Sequence, residues 1–134
     1  LAQLLAHDDM RIRQRAQYAL AAKKDTAALS QVANASENLY ARLHAIWGLG
    51  MVGANNGATL TKLLSDKDAE VRAQAAKTIG NIKFKAAESK LIQFTADKST
   101  RVRFFAVKAL GKIQSSKALP AIIKVIKENL IFIA

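Results

Sequence analysis

Apolar residues recur along this chain at helical spacing, in short segments separated by polar turns. One phrase organises the pattern and returns four times: Asp9-Met-Arg-Ile-Arg13, Asn38-Leu-Tyr-Ala-Arg42, Asp68-Ala-Glu-Val-Arg72 and Ser99-Thr-Arg-Val-Arg103. Its closing arginines stand 29, 30 and 31 residues apart. Three positions beyond each lies an alanine (Ala16, Ala45, Ala75, Ala106), and seven beyond lies an aliphatic residue (Leu20, Leu49, Ile79, Leu110). The eighth position holds Ala21, Gly50, Gly80 or Gly111. Each phrase opens with Asp, Asn or Ser, whose side chain can accept a hydrogen bond from the free amides of a helix's first turn, and each ends in small residues suited to a helix terminus. The pattern predicts four B helices, over 10–22, 39–52, 69–82 and 100–113. The apolar segments 27–35, 58–64 and 86–96, with 1–6 before and 119–129 after, are the predicted A helices, the first of them truncated. Pro120 falls in the first turn of the last one, where its missing amide has no intrahelical partner to lose.

A pair of helices this short cannot bury its own apolar face and must stack on the next pair. The expected fold is therefore all-α: a right-handed α-α superhelix of four helical pairs, near 1–22, 26–52, 57–82 and 86–113, with an extra helix at 117–129. A chain of 134 residues, 51% hydrophobic, suits one domain and is too short for two ordinary ones. With five Phe, two Tyr and one Trp against abundant alanine, its core is one of closely approaching helices.

Helical pairs of about 30 residues carrying Asp-x-x-Val-Arg-x-x-Ala-x-x-Ala-Leu-Gly resemble HEAT repeats, specifically the short kind also found in phycobilisome lyases. Asp68 to Gly80 fits best and Arg101 to Gly111 nearly as well, whereas the copy from Asn38 departs by placing Ala41 before its arginine. The resemblance implies that Asp9, Arg13, Asn38, Arg42, Asp68, Arg72, Ser99 and Arg103 are structural, with the arginine and the capping residue forming a polar ladder between repeats. Two phrases, Ala41-Arg-Leu-His-Ala-Ile-Trp-Gly-Leu-Gly50 and Arg101-Val-Arg-Phe-Phe-Ala106, are similar to the HEAT segment of large secreted bacterial proteins described as membrane-bound or sorbosone-type dehydrogenases. There a β-propeller precedes the repeats and a c-type cytochrome domain follows. That resemblance implies a periplasmic or extracytoplasmic address, with the haem and the redox chemistry held by neighbouring domains, since no Cys-x-x-Cys-His occurs here.

With the arginine of each phrase as zero, positions −1, +3, +4 and +7 gather on the core side of the helix. Positions +2, +5 and +9 point away. They are Arg15, Tyr18 and Ala22; His44, Trp47 and Met51; Gln74, Lys77 and Asn81; and Phe105, Lys108 and Lys112. The resemblance places the B helices on the concave surface, which makes these residues a candidate binding ridge. Large aromatics beside Arg and Lys suit a contact surface; the alternative is that the aromatics pack between neighbouring repeats.

Charge and candidate chemistry narrow the picture further. The net charge is +11, unevenly spread, at +3 over residues 1–67 and +8 over 68–134, and it favours anionic partners. Many lysines, such as Lys23, Lys62, Lys83, Lys90 and Lys124, lie on A helices or turns, a scattered coat that favours a protein partner over a nucleic-acid groove. Without cysteine there is neither a disulfide nor a thiolate metal site. His7 and His44, the two histidines, have no acidic residue at helical ligand spacing, so no metal is expected. The pairs Asp8-Asp9 and Asp66/Asp68 are explained by helix capping. Gly48, Gly50, Gly53 and Gly57 follow no strand and are packing and turn glycines, not a phosphate loop. No serine stands in an elbow motif near a histidine. The chain is thus expected to be a non-catalytic scaffold without a cofactor, its partner a protein, with DNA-backbone binding as the alternative. No segment approaches the roughly 20 apolar residues a membrane span needs, the tail from Leu130 to Ala134 included. The start at Leu1, without an initiator methionine or a signal pattern, suggests a piece of something longer.

Overall fold

The structure, a computed structural model, describes residues 1–130, so most of the apolar tail named above lies outside the described residues. Among these residues every regular element is helical. The B helices are α1 (Met10–Ala22), α3 (Leu39–Val52), α5 (Ala69–Asn81) and α7 (Thr100–Lys112). The A helices are α2 (Thr26–Ala35), α4 (Gly57–Leu63) and α6 (Glu88–Phe94), and α8 (Leu119–Leu130) follows the last pair. Short 3-10 turns at Ala54–Asn56 and Lys85–Ala87 lead into α4 and α6. The first A segment, expected as a helix over 1–6, is instead a 3-10 turn at Ala2–Ala6 that has no side-chain cap and buries Leu5. No helix among the described residues is long and apolar enough to cross a membrane.

Each B helix starts where its phrase supplies a cap. Asp9 accepts from the amide of Arg11, Asn38 from Ala41, Asp68 from Glu70 and Val71, and Ser99 from Val102. The helices end within a residue of the positions expected, and Ala21, Gly50, Gly80 and Gly111 lie in their last turns. The chain leaves α1, α5 and α7 through Lys24, Lys83 and Gln114, in the left-handed region at φ 53, 54 and 58. In each case the next amide bonds back five residues: Asp25 to the Leu20 carbonyl at 3.0 Å, Phe84 to Ile79 at 3.2 Å, and Ser115 to Leu110 at 3.0 Å. Only α3 uses glycine for this purpose, Gly53 at φ 112.

The four B helices lie side by side in chain order, and α2, α4 and α6 pack on α3, α5 and α7 from the other side. Leu29, Leu60, Leu64 and Leu91 of the A layer meet Leu20, Ile46, Leu49, Ile79 and Leu110 of the B layer in one core, all fully buried. The alanine column Ala16, Ala45, Ala75 and Ala106 is buried throughout, which lets adjacent helices approach closely. At Gly80 the approach is backbone to backbone: an added Cβ would stand 2.7 Å from the Cα of Ala109 on α7. Gly111, one repeat later, has open space around the same position.

These two glycines give opposite expectations for one substitution. Gly80→Ala should destabilise the fold by about 1–3 kcal/mol, because the obstacle is backbone and cannot rotate away. Gly111→Ala should be neutral or stabilising by up to about 0.5–1 kcal/mol, since alanine is the better helix former. Urea unfolding followed by circular dichroism measures both, and equal destabilisation would disprove the close approach of α5 and α7.

Candidate interaction surface

Two sets of polar side chains run across the stack, and together they decide which residues stay free for a partner. The first lies at the turns from A to B helix. Arg72 donates from Nη1 to the carbonyls of Asp66 and Lys67, at 2.9 and 3.1 Å, within its own repeat. It then reaches into the next repeat with a two-pronged pair to Asp97, Nε at 2.9 Å and Nη2 at 3.1 Å. Arg42 donates to the Ala33 carbonyl at 2.8 Å and pairs in the same way with Asp66. Arg13 and Arg103 hold the turn carbonyls of their own repeats, Arg13 those of His7 and Asp8, Arg103 those of Asp97 and Lys98. The arginine half of the expected ladder is thus in place, but its acidic half is not the capping residue. Asn38, Asp68 and Ser99 cap helices; the carboxylates that bind arginine, Asp66 and Asp97, stand two positions earlier, where each also accepts the amide of the cap residue.

That column reads His7, Ser36, Asp66 and Asp97, and in all four repeats its side chain accepts the amide two residues on. Ser36 therefore stands where Arg13 would find its aspartate. Arg13 lies instead over the Tyr40 ring, 4.8 Å from its centre, and its buried Nε has no hydrogen-bond partner.

The second set crosses the B helices on their outer face. His44 Nδ1 lies 2.8 Å from Oε1 of Gln17, so its N–H joins α3 to α1. The indole N–H of Trp47 donates to Gln74 Oε1 at 2.9 Å, joining α3 to α5. Gln74 donates in turn to Glu70 at 2.7 Å, and Arg101 of α7 donates to the other Glu70 oxygen at 2.8 Å. This accounts for three residues expected on the open ridge. His44, Gln74 and Phe105 are buried because position +2 on α3, α5 and α7 faces the preceding B helix; α1 has none before it, and its Arg15 is exposed.

Arg15, Tyr18, Met51, Lys77, Asn81, Lys108 and Lys112 remain exposed, and Trp47 is half-buried. Tyr18, Trp47, Met51 and Lys77 line a groove of about 530 Å³ across α1, α3 and α5. Tyr18 is 48% and Met51 52% exposed, so the groove offers apolar surface to a partner. Its wall side chains have partners within the protein: Trp47 donates to Gln74, Met51 accepts a 3.3 Å contact from the Gln17 amide, and the Tyr18 hydroxyl accepts from Gln14 at 3.0 Å. Thr78 presses against Gly50 at the floor, where a Cβ would come within 2.5 Å. Among the described residues no group of three or more His, Cys, Asp or Glu side chains could hold a metal ion.

Burial pushes the Asp97 carboxyl up, but the hydrogen bonds from Arg72 and from the Ser99 amide, with the Arg72 charge, outweigh it and hold the group below its usual 3.8. Asp66 behaves in the same way with Arg42 and the Asp68 amide. Because both values are depressed, their contribution is complete above the ordinary carboxylate range and is lost as pH falls through the folded values. Asp97→Ala leaves the buried Arg72 guanidinium uncompensated and should cost about 3–5 kcal/mol at pH 7, shrinking in strong acid. Ser36→Asp supplies the missing carboxylate beside Arg13 and should stabilise by about 1 kcal/mol, reversed by Arg13→Ala. A cost for Asp97→Ala that is the same at pH 2 as at pH 7 would refute the pairing. Burial, and then the charge of Arg13, hold His44 below 6.5, so the folded ring is neutral at pH 7. Stability it contributes is present above 6.5 and lost as pH falls below that value. Urea midpoints should therefore drop between pH 7 and 5, and His44→Gln should flatten that slope.

Comparison with known proteins places this geometry. No curated protein matches the sequence. Among 25 solved chains that match, the crystal structure of an engineered protein, a structural-genomics target, aligns with a TM-score of 0.62 at 20% identity over 92% of this chain. The chain spans 66% of that protein, and the likeness concerns the fold alone. The family model for HEAT repeats matches residues 57–130. With helical pairs stacked in two layers and that match covering more than half its length, the chain belongs to the HEAT-repeat family.

Proposed function

We propose that this chain is a non-catalytic scaffold that holds a protein partner or a neighbouring domain against the open face of its B helices. HEAT repeats generally mediate such interactions. The observation that carries the reading is the groove with Tyr18, Trp47 and Met51, whose apolar surface is left uncovered. No paired carboxylates or nucleophile and base meet in it; the one carboxylate on the B helices, Glu70, is already bound by Gln74 and Arg101. The two phrases at 41–50 and 101–106 support a finer version, in which the module is a docking spacer between redox domains of a bacterial extracytoplasmic dehydrogenase.

DNA-backbone binding is the second reading, and the B helices favour it by carrying ten cationic side chains against one carboxylate. Four of the ten are the arginines at the A-to-B turns, and Arg11 and Arg101 are paired with Asp9 and Glu70. That leaves Arg15, Lys77, Lys108 and Lys112, few for tracking two phosphate strands.

A photo-cross-linking residue in place of Met51 should form adducts with protein, and the same residue in place of Lys62 on α4 should not. Equal labelling from both positions, or none from 51, counts against the open face. The parent sequence should carry a β-propeller upstream and Cys-x-x-Cys-His downstream, and finding neither withdraws the dehydrogenase assignment.

A further inference from the structure

Position +5 of the four B helices forms a row across the stack, and along it the chemistry changes: Tyr18 and Trp47 on α1 and α3, then Lys77 and Lys108 on α5 and α7. Position +9 repeats the gradient, with Ala22, Met51, Asn81 and Lys112. The lysines at the far end are held without acids. Lys77 lies 5.7 Å from the centre of the Phe105 ring, Lys108 lies 5.4 Å from that of Phe104, and Lys112 donates to Asn81. Aromatic faces and an amide orient these ammonium groups and leave their charge uncompensated, whereas Arg101, also on α7, has a carboxylate.

Resting on the scaffold reading above, we infer that the partner segment is an extended, acidic peptide crossing the B helices. Its apolar anchor sits in the groove of Tyr18, Trp47 and Met51, and its carboxylates meet Lys77 and then Lys108 and Lys112. Packed helices lie about 8–10 Å apart, and a chain extended in the polyproline-II manner advances about 3.1 Å per residue with three residues per turn, so that every third side chain faces the helices. One helix of the row thus corresponds to about three residues of ligand. The recognised pattern is an aromatic or aliphatic residue with acidic residues about three and six positions away on one side. The apolar end supplies contact area, and the lysines fix which way the segment runs. A nucleic acid has no use for the exposed Met51 at the groove, and its phosphates would be repeated along the whole row rather than confined to one end.

The test is selection of random twelve-residue peptides on the immobilised full chain. Enriched sequences are then titrated in solution against the fluorescence of Trp47, the single tryptophan. The expected consensus is an apolar residue with Asp or Glu at those spacings. Its affinity should fall about tenfold or more in the double variant Lys77→Glu, Lys108→Glu, and be lost in Tyr18→Ala. Unchanged circular dichroism melting shows that these surface variants fold. Apolar peptides without acids, or binding indifferent to the charge reversal, overturn this inference and leave the scaffold reading standing. If no peptide is enriched, or if a duplex oligonucleotide alone perturbs Trp47, both fall.

Discussion

The later part of the stack depends on two side chains, Arg42 and Arg72, that are obliged to bond in two directions. A guanidinium has five donors and no acceptor, so when buried it must find carbonyls and carboxylates enough to satisfy it. Arg72, 5% exposed, does so by closing the turn of its own repeat and then gripping Asp97 of the next. The surfaces it joins are smooth, built from Ala45, Ala73, Ala75, Ala76 and Ala106. Alanine faces allow close approach but say little about register, because one small side chain fits a neighbour as well as the next. A directional polar contact supplies what they lack. A buried ion pair need add little net stability compared with apolar residues of the same shape. Its contribution here is to tie the second helical pair to the third and the third to the fourth at one offset, along which Trp47, Lys77 and Lys108 of the +5 row follow one another.

The second polar set acts on what remains. By tying Gln17 to His44, Trp47 to Gln74, and Glu70 to Arg101, it withdraws those polar groups from the outer face of α1, α3, α5 and α7. Trp47 shows the consequence most clearly: its N–H is committed within the protein, so what it offers a partner is ring surface. The free face is the complement of the internal network, which is why the groove offers mainly the apolar surface of Tyr18, Trp47 and Met51.

The B helices were legible to within a residue because their signal is repeated and local, a cap followed by a fixed apolar spacing. The A helices were legible too, save the first, where residues 2–6 close only a 3-10 turn. Three features were not. Glycine at +8 was explained by the nearby helix end alone, yet at Gly80 the close approach of Ala109 requires it, a neighbour 29 residues away that no local rule sees. The acid of the ladder was hidden behind capping, a sufficient reason for any Asp near a helix start; the regular column His7, Ser36, Asp66, Asp97 was the signal that could have found it. Burial of His44, Gln74 and Phe105 could not come from a single helical wheel. A wheel gives the direction of a side chain but not whether another helix stands in that direction.

The irregular columns of the repeat separate structural need from everything else. Position +3 holds alanine in all four B helices, and its burial explains why. Position zero holds arginine four times, and its bonds explain that. Position +5 is different: its side chains are large, mostly exposed and change from aromatic to cationic along the stack. Packing does not require any of this, since an exposed helix position is satisfied by any good helix former. Exposed aromatic area carries a cost in water that stacking of the repeats does nothing to offset. The residues at +5, with Met51 and Lys112 at +9, are therefore where this chain differs from a generic stack of the same fold, and it is there that selectivity for one partner over another has room to reside.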